Sequence, residues 1–195
     1  MTEASDDRTR PGGRTARTRN AVHTAVRALF GEGRDTISVR EVSERSGIHE
    51  VTIYRRWKTI EALVLDVAVT HLNEESPFPD TGDLRADLLA WARSVAGQVS
   101  THEGFALYRA LAAAGSALDN PGVSPRREEA ATYLRKRTDQ IQRAIDHNAA
   151  GLSRPPTVAE VFDIVLAPIY LRAIFGYQHP DEALDVLVDR LLGDH

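Results

Sequence analysis

Cysteine is absent from the 195 residues, which excludes disulfides and thiolate metal sites. No apolar run reaches membrane-spanning length, so no transmembrane helix is expected. The first residues are polar and arginine-rich and lack the apolar segment of a secretory leader, so a soluble cytoplasmic protein is expected. There is no P-loop, no Gly-x-Gly-x-x-Gly, no nucleophile elbow and no His-Glu-x-x-His; after His102-Glu103 the place of a second histidine is taken by Ala106. The histidines lack metal-ligand spacing, and His71 beside Glu74 and Glu75 reads as ordinary helix surface. Neither enzyme activity, nor a cofactor, nor a metal is expected. Lysine occurs only at Lys58 and Lys136, so arginine carries the basic charge.

That charge is unevenly spread. Residues 1–58 hold 12 Arg or Lys against 8 Asp or Glu, a net of +4, whereas the whole chain has a net charge of −4. A basic N-terminal third on an acidic body suits one nucleic-acid surface on a protein that otherwise repels DNA. Residues 38–63 are the most informative stretch. Ser38 with Glu41 three residues on makes a capping box, and Val39 and Val42 give the first helix a buried face. Gly47 permits a tight turn at positive φ. A second helix runs from about His49 to Trp57, with Ile48, Ile53 and Trp57 turned inward. Its outer face carries His49, Glu50, Thr52, Arg55 and Arg56, with Tyr54 near the edge and Val51 between the joint and the groove. Two short helices around a glycine turn, the second polar and basic outside, form a helix-turn-helix fit for a DNA major groove.

On Phe30, Gly33, Thr36, Ile37, Val39, Ile48, Thr52, Ile53, Tyr54, Trp57, Glu61, Ala62 and Leu63, residues 18–66 resemble the TetR family of transcriptional regulators. The run Thr52-Ile53-Tyr54-Arg55-Arg56-Trp57 with Glu61-Ala62-Leu63 is especially typical. The rest resembles the family in length and helical layout, with a weaker match at Leu166-Ala167-Pro168-Ile169-Tyr170. One departure stands out: where the family commonly has a phosphate-contacting lysine at the start of its fourth helix, this chain has Ile60.

The expected fold is all-α. A basic arm spans 1–15, a three-helix DNA-binding domain with the helix-turn-helix spans 16–60, and a helical ligand-binding and dimerisation domain spans 61–195. Arg8, Arg10, Arg14, Arg17 and Arg19 either reach a minor groove or phosphates, or form a solubilising tail. Helix one is expected from Thr15 to Gly31, and a fourth from near Thr59 to before Pro77-Phe78-Pro79. Others are expected over 83–100, over 103–118 (burying Leu118), from Ser124-Pro125 to about Ala150 after a break at Asn120-Pro121-Gly122, over 158–175, and from Pro180 onward.

The resemblance implies a homodimer with its recognition helices in successive major grooves of a pseudo-palindromic operator in double-stranded DNA. Tyr54 is a phosphate contact by resemblance; Thr52 and Lys58 are further phosphate candidates. His49, Glu50 and Arg55 are candidates for base readout, since arginine suits guanine and glutamate can accept from cytosine. Arg56 contacts phosphate or pairs with an acid, and Ser38 and Arg40 complete the candidate DNA-binding set. For the family's small-molecule site the candidates are Trp91, Phe105, Tyr108, Tyr133, Arg137 and Phe162, aromatic with a few polar tips. For the family's four-helix dimer interface they are Ile164, Leu171, Phe175, Leu184, Leu187, Val188 and Leu191. The expected function is that of a repressor released from its operator by a small molecule. The alternatives are an activator or ligand-independent regulator and, more remotely, an all-helical enzyme.

Overall fold

The computed structural model describes residues 11–115, 125–176 and 182–193. All regular elements there are helical: α1 (Pro11–Gly31), α2 (Val39–Ser46), α3 (Glu50–Trp57), α4 (Ile60–Glu75), α5 (Leu84–Val99), α6 (His102–Gly115) and α7 (Pro125–Asn148). α8 covers 158–175 in three contiguous parts, a first turn Val158–Glu160, a π-helical stretch Val161–Leu166 and the α-helix Ala167–Phe175; α9 is Glu182–Leu192. Residues 1–10, most of the expected arm, lie outside the described residues, as do Leu118, the Asn120-Pro121-Gly122 break, Ser124 and Pro180. α1 begins at Pro11, so 11–15 belong to the helix and not to an arm.

Two cores result. The head core gathers Val22, Val26 and Leu29 of α1, Val42 of α2, Ile53 and Trp57 of α3 and Leu63 and Val67 of α4. The body core gathers Leu88, Trp91 and Val95 of α5, Ile141 and Ile145 of α7, Val161, Val165 and Ile169 of α8 and most of the α9 stripe. α6 belongs to both: Ala106 and Leu107 are buried in the head core, while Tyr108 packs against the body core. Between head and body, Arg27 of α1 hydrogen-bonds Glu103 of α6, and Arg109 Nη2 donates to the Asp35 carbonyl at 2.8 Å.

α6 can start where it does because residue 104 is glycine. Thr101 caps the helix, its hydroxyl accepting from Gly104 N–H at 3.0 Å and donating to Gln98 O at 2.8 Å. A Cβ at 104 would lie 2.0 Å from that Gln98 carbonyl oxygen, a backbone atom at the end of α5. Gly104→Ala is therefore expected to destabilise the protein by about 2–3 kcal/mol through overpacking, read as a lowered urea midpoint. An unchanged midpoint would show that the α5–α6 corner yields freely.

The helix expected over 158–175 is present, with one irregularity. Pro168 has no N–H for the 164 carbonyl and its ring would crowd that oxygen. A local widening relieves this, with the Ala167 N–H bonding to Phe162 O five residues back. One expectation is corrected, that the main apolar stripe of α9 would face a partner. Leu184, Leu187, Val188 and Leu191 are instead buried in this chain's own core, against α5 and α8. Spacings of three and four residues give one stripe, and the body core already covers it. Ile164 likewise packs against the body core.

Candidate functional site

The helix-turn-helix is set by local chemistry. Ser38 N–H donates to Glu41 Oε2 at 2.8 Å, and Glu41 N–H donates back to Ser38 Oγ at 3.3 Å. Arg34 pairs with the same carboxylate. The bonds from Ser38 and the Arg34 charge hold the Glu41 pKa below its ordinary value. Gly47 closes α2 at φ 69°, its N–H bonded to Ser43 O. His49 caps α3, its Nδ1 accepting from Val51 N–H at 3.4 Å. Ser38, Arg40, His49, Tyr54, Arg55, Arg56 and Lys58 are exposed, and Glu50 and Thr52 are half-buried. Val51 is 67% exposed and stands on this outer face. Two candidates are engaged already: Arg40 Nε donates to Glu44 at 2.9 Å, and the Arg56 guanidinium lies 5.1 Å from the Trp57 ring centroid. Lys58 adopts φ 67° with ψ −41°, the one positive φ among described non-glycine residues, at a cost of about 1–3 kcal/mol.

Sequence reasoning missed the carboxylate that ties α3 to the rest of the head. Asp66 of α4 accepts from Trp57 Nε1 at 2.8 Å and from Arg19 Nη2 at 2.6 Å, with His23 Nε2 at 3.0 Å. Burial alone would raise the Asp66 pKa; the bonds from His23, Arg19 and Trp57 outweigh it and hold the carboxyl well below the usual range. Arg19, offered as part of a DNA-reaching arm, is thus committed to Asp66 and to Thr70 Oγ1 at 2.7 Å. Arg17 instead bonds the Gly13 carbonyl on the exposed face of α1. Arg8 and Arg10 lie outside the described residues, as does the side chain of Arg14. The only hint in the sequence was an acid on the apolar stripe of α4.

The body holds a cavity of about 770 Å³ walled by α4, α5, α6, α7 and α8. Five of the six candidate ligand residues line it: Trp91, Tyr108, Tyr133, Arg137 and Phe162. Phe105 does not. It lies elsewhere on α6, where the Arg109 guanidinium covers it, 5.7 Å from the ring centroid. The Tyr108 and Tyr170 rings stack, centroids 4.0 Å apart and 7° from parallel. Burial pushes both phenols up, so each stays a neutral hydrogen-bonding group near neutral pH. α8 contributes Phe162, Asp163, Leu166, Ala167 and Tyr170 from the π stretch onward. At the opposite end of the chain's logic, Leu72 and Ser76 bring the C-terminal end of α4 to the wall.

Leu171, Ile174 and Phe175 on α8 and Val186 on α9 are 49–73% exposed. Leu171 and Ile174 also border the cavity. Leu171 and Phe175 were expected at the dimer interface; Val186 was not, since it lies off the main stripe of α9. Among the described residues no cluster of His, Asp or Glu is placed to hold a metal, and no helix is long and apolar enough to cross a membrane.

Residues 22–67 match the profile of bacterial regulatory proteins, tetR family, and residues 78–191 match that of the tetracyclin repressor-like C-terminal domain. The HTH-type transcriptional regulator AqdR of Rhodococcus erythropolis is 34% identical over 130 residues. That match takes in 66% of this chain and 61% of AqdR, so the chain spans less than two thirds of that relative. An uncharacterized HTH-type transcriptional regulator of Mycobacterium tuberculosis is 25% identical over 98% of this chain and 94% of its own length. Among solved structures, a TetR family transcription regulator from Marinobacter aquaeolei VT8 superposes with a TM-score of 0.60 at 20% identity, covering 92% of this chain and 96% of that one. Another TetR family regulator, SCO0332, does so at 0.65 with 25% identity, covering 91% and 98%.

Proposed function

This chain belongs to the TetR family of helix-turn-helix transcriptional regulators, which is not a family of enzymes, and from that premise we propose a homodimeric repressor released from its operator by a small molecule. The observation that carries the release is the double membership of α6. Ala106 and Leu107 are buried in the head core, while the next residue, Tyr108, lines the cavity with Leu111 and Ala112. α4 repeats the arrangement, with Leu63 and Val67 in the head core and Leu72 and Ser76 at the cavity wall. A molecule that moves either helix on entering moves the head with it, and its differential affinity for the two arrangements sets how far the equilibrium shifts.

The two heads would each lay α3 in a major groove, with Arg55, His49 and Glu50 reading bases and Tyr54, Thr52 and Lys58 on phosphates. The strain at Lys58 supports its part. Glycine would hold φ 67° without a Cβ penalty, and lysine offers a cation there instead. Ile60 is half-buried against the head core, so the phosphate contact common in the family at this position is absent, and Lys58 is the nearest cation to replace it. Pairing of two copies would use the exposed apolar face at Leu171, Ile174, Phe175 and Val186.

The test has two stages. Duplexes are selected from a randomised pool at moderate salt, and a symmetric enriched site is expected. The labelled operator complex is then titrated with small-molecule extract of the cells that make the protein, followed by anisotropy. Release of the duplex is expected. A symmetric site whose complex resists every fraction would instead favour a ligand-independent regulator. An unselective pool with folded, dimeric protein would reject the operator reading.

A further inference from the structure

We propose that the cavity takes an apolar molecule bearing a single carboxylate or similar anionic head, and that the Arg137 guanidinium receives this head. The proposal rests on reading the cavity as the effector site. Its basis is an uncompensated buried cation. Arg137 is 5% exposed and stands in the cavity wall. Its Nη1 donates to the Ser76 carbonyl and to Gln140 Oε1, and its Nη2 donates to the Leu72 carbonyl at 2.8 Å. All three acceptors are neutral. Among the described residues no carboxylate forms an ion pair with it. A guanidinium has five N–H donors, so two have no partner among the described residues.

A charge taken out of water at this depth is costly unless an opposite charge meets it. Aromatic faces soften the cost: the Trp91 and Tyr133 ring centroids lie 5.7 and 5.6 Å from the Arg137 Cζ. They do not supply a counter-charge. The rest of the wall is mostly apolar and aromatic, with Val95, Val99, Leu111, Phe162 and Leu166 among its members. Its other charged members are Arg127, again a cation, and Asp163, which is exposed. The wall therefore carries more positive than negative charge around an apolar space. A neutral guest would fill the space and leave Arg137 uncompensated. An amine would add a like charge. An anion would form a charge-assisted, forked hydrogen bond, the geometry to which guanidinium is best suited.

The same contact reaches the head. The Leu72 and Ser76 carbonyls lie at the C-terminal end of α4, and Arg137 holds both. A carboxylate on the remaining N–H groups draws the guanidinium toward the cavity and pulls on its bonds to those carbonyls, so capture of the head group loosens or re-aims α4.

The test uses matched probes below micelle-forming concentrations: decanoate against 1-decanol and decylamine, and 2-naphthoate against 2-naphthylmethanol. Binding to the full-length protein is measured by calorimetry without DNA. In at least one pair the acid is expected to bind about tenfold or more tightly than its alcohol, with decylamine weakest. Arg137→Gln is expected to abolish the acid preference while alcohol binding persists. Should Arg137→Gln not fold, Arg137→Lys, which keeps the charge and loses the fork, is expected to shrink the preference while Arg143→Gln, at an exposed arginine of α7 outside the cavity wall, leaves it in place. Alcohols binding as tightly as acids, no probe binding at all, a preference surviving in folded Arg137→Gln, or one lost in Arg143→Gln would each overturn the assignment. Selective acid binding that leaves the operator complex intact would reject the ligand-released repressor and leave the assignment standing.

Discussion

Asp66→Ala is expected to lower stability by about 3 kcal/mol near neutral pH, against a typical total of about 5–15 kcal/mol. The substitution strands three donors at once: the indole N–H of Trp57, which is buried, the ring of His23, also buried, and the Arg19 guanidinium. Each buried unpaired group costs about 1–3 kcal/mol, and partial exposure of Arg19 reduces its share. Asp66→Asn should fall between, since an amide oxygen can still accept from one or two of these donors. With a urea slope of about 2 kcal/mol/M, the alanine variant should lose about 1.5 M in its midpoint.

The effect depends on pH in a definite direction. The folded carboxyl titrates well below its unfolded value of about 4, so its contribution is complete above that value and fades as pH falls toward the folded one. The difference between wild type and Asp66→Ala should therefore be flat from about pH 7 to 5 and shrink below about 4. Subtracting the two curves cancels the other carboxylates. A difference under about 1 kcal/mol, or one unchanged down to pH 3, would show that Asp66 does not hold the head together.

Arg55→Ala is expected to cause the largest loss in DNA binding, with the fold intact because Arg55 is exposed and no part of either core. One good bidentate base contact discriminates by about 1–3 kcal/mol. In a symmetric dimer every substitution counts twice, so about 2–6 kcal/mol is lost, or roughly 30-fold to 10⁴-fold in affinity for the selected site. Affinity for random duplex should change little beyond the loss of one charge per head. Tyr54→Phe offers the contrast, weakening specific and non-specific binding alike by about 1 kcal/mol per head, without altering the salt dependence. Lys58→Gln should weaken both and reduce the salt slope by about 2 per dimer. Equal losses on specific and random DNA for Arg55→Ala would move Arg55 from base readout to phosphate contact.

The parts of this protein legible in one dimension are those whose causes lie within a few residues. Ser38 and Glu41 satisfy each other's backbone across three positions, and the capping box is there. Gly47 needs no Cβ clearance, and the αL turn is there. Thr59 caps α4, and the Pro77-Phe78-Pro79 segment ends the chain's first four helices. Aromatic and polar residues on amphipathic helices pointed to the cavity wall for Trp91, Tyr108, Tyr133, Arg137 and Phe162, and misjudged Phe105 because periodicity does not say which neighbour a flank meets.

The rest depended on partners far away in the chain. Asp66 sits 9, 43 and 47 residues from Trp57, His23 and Arg19, and nothing local distinguishes it from a surface acid. The α9 stripe read equally well as an interface or as core, because burial against one's own chain and against a second copy require the same residues; only the packing of α9 on α5 and α8 decided for core. The sequence by itself determined the family, the all-helical class and the helix-turn-helix, since caps, turns and a 3.6-residue period are set by short-range sterics and hydrogen bonds. Tertiary structure alone decided that α6 joins the two cores, that Arg137 is a buried cation with no counter-charge among the described residues, and that Asp66 anchors α3, since each is a property of groups brought together only by the packing of whole helices.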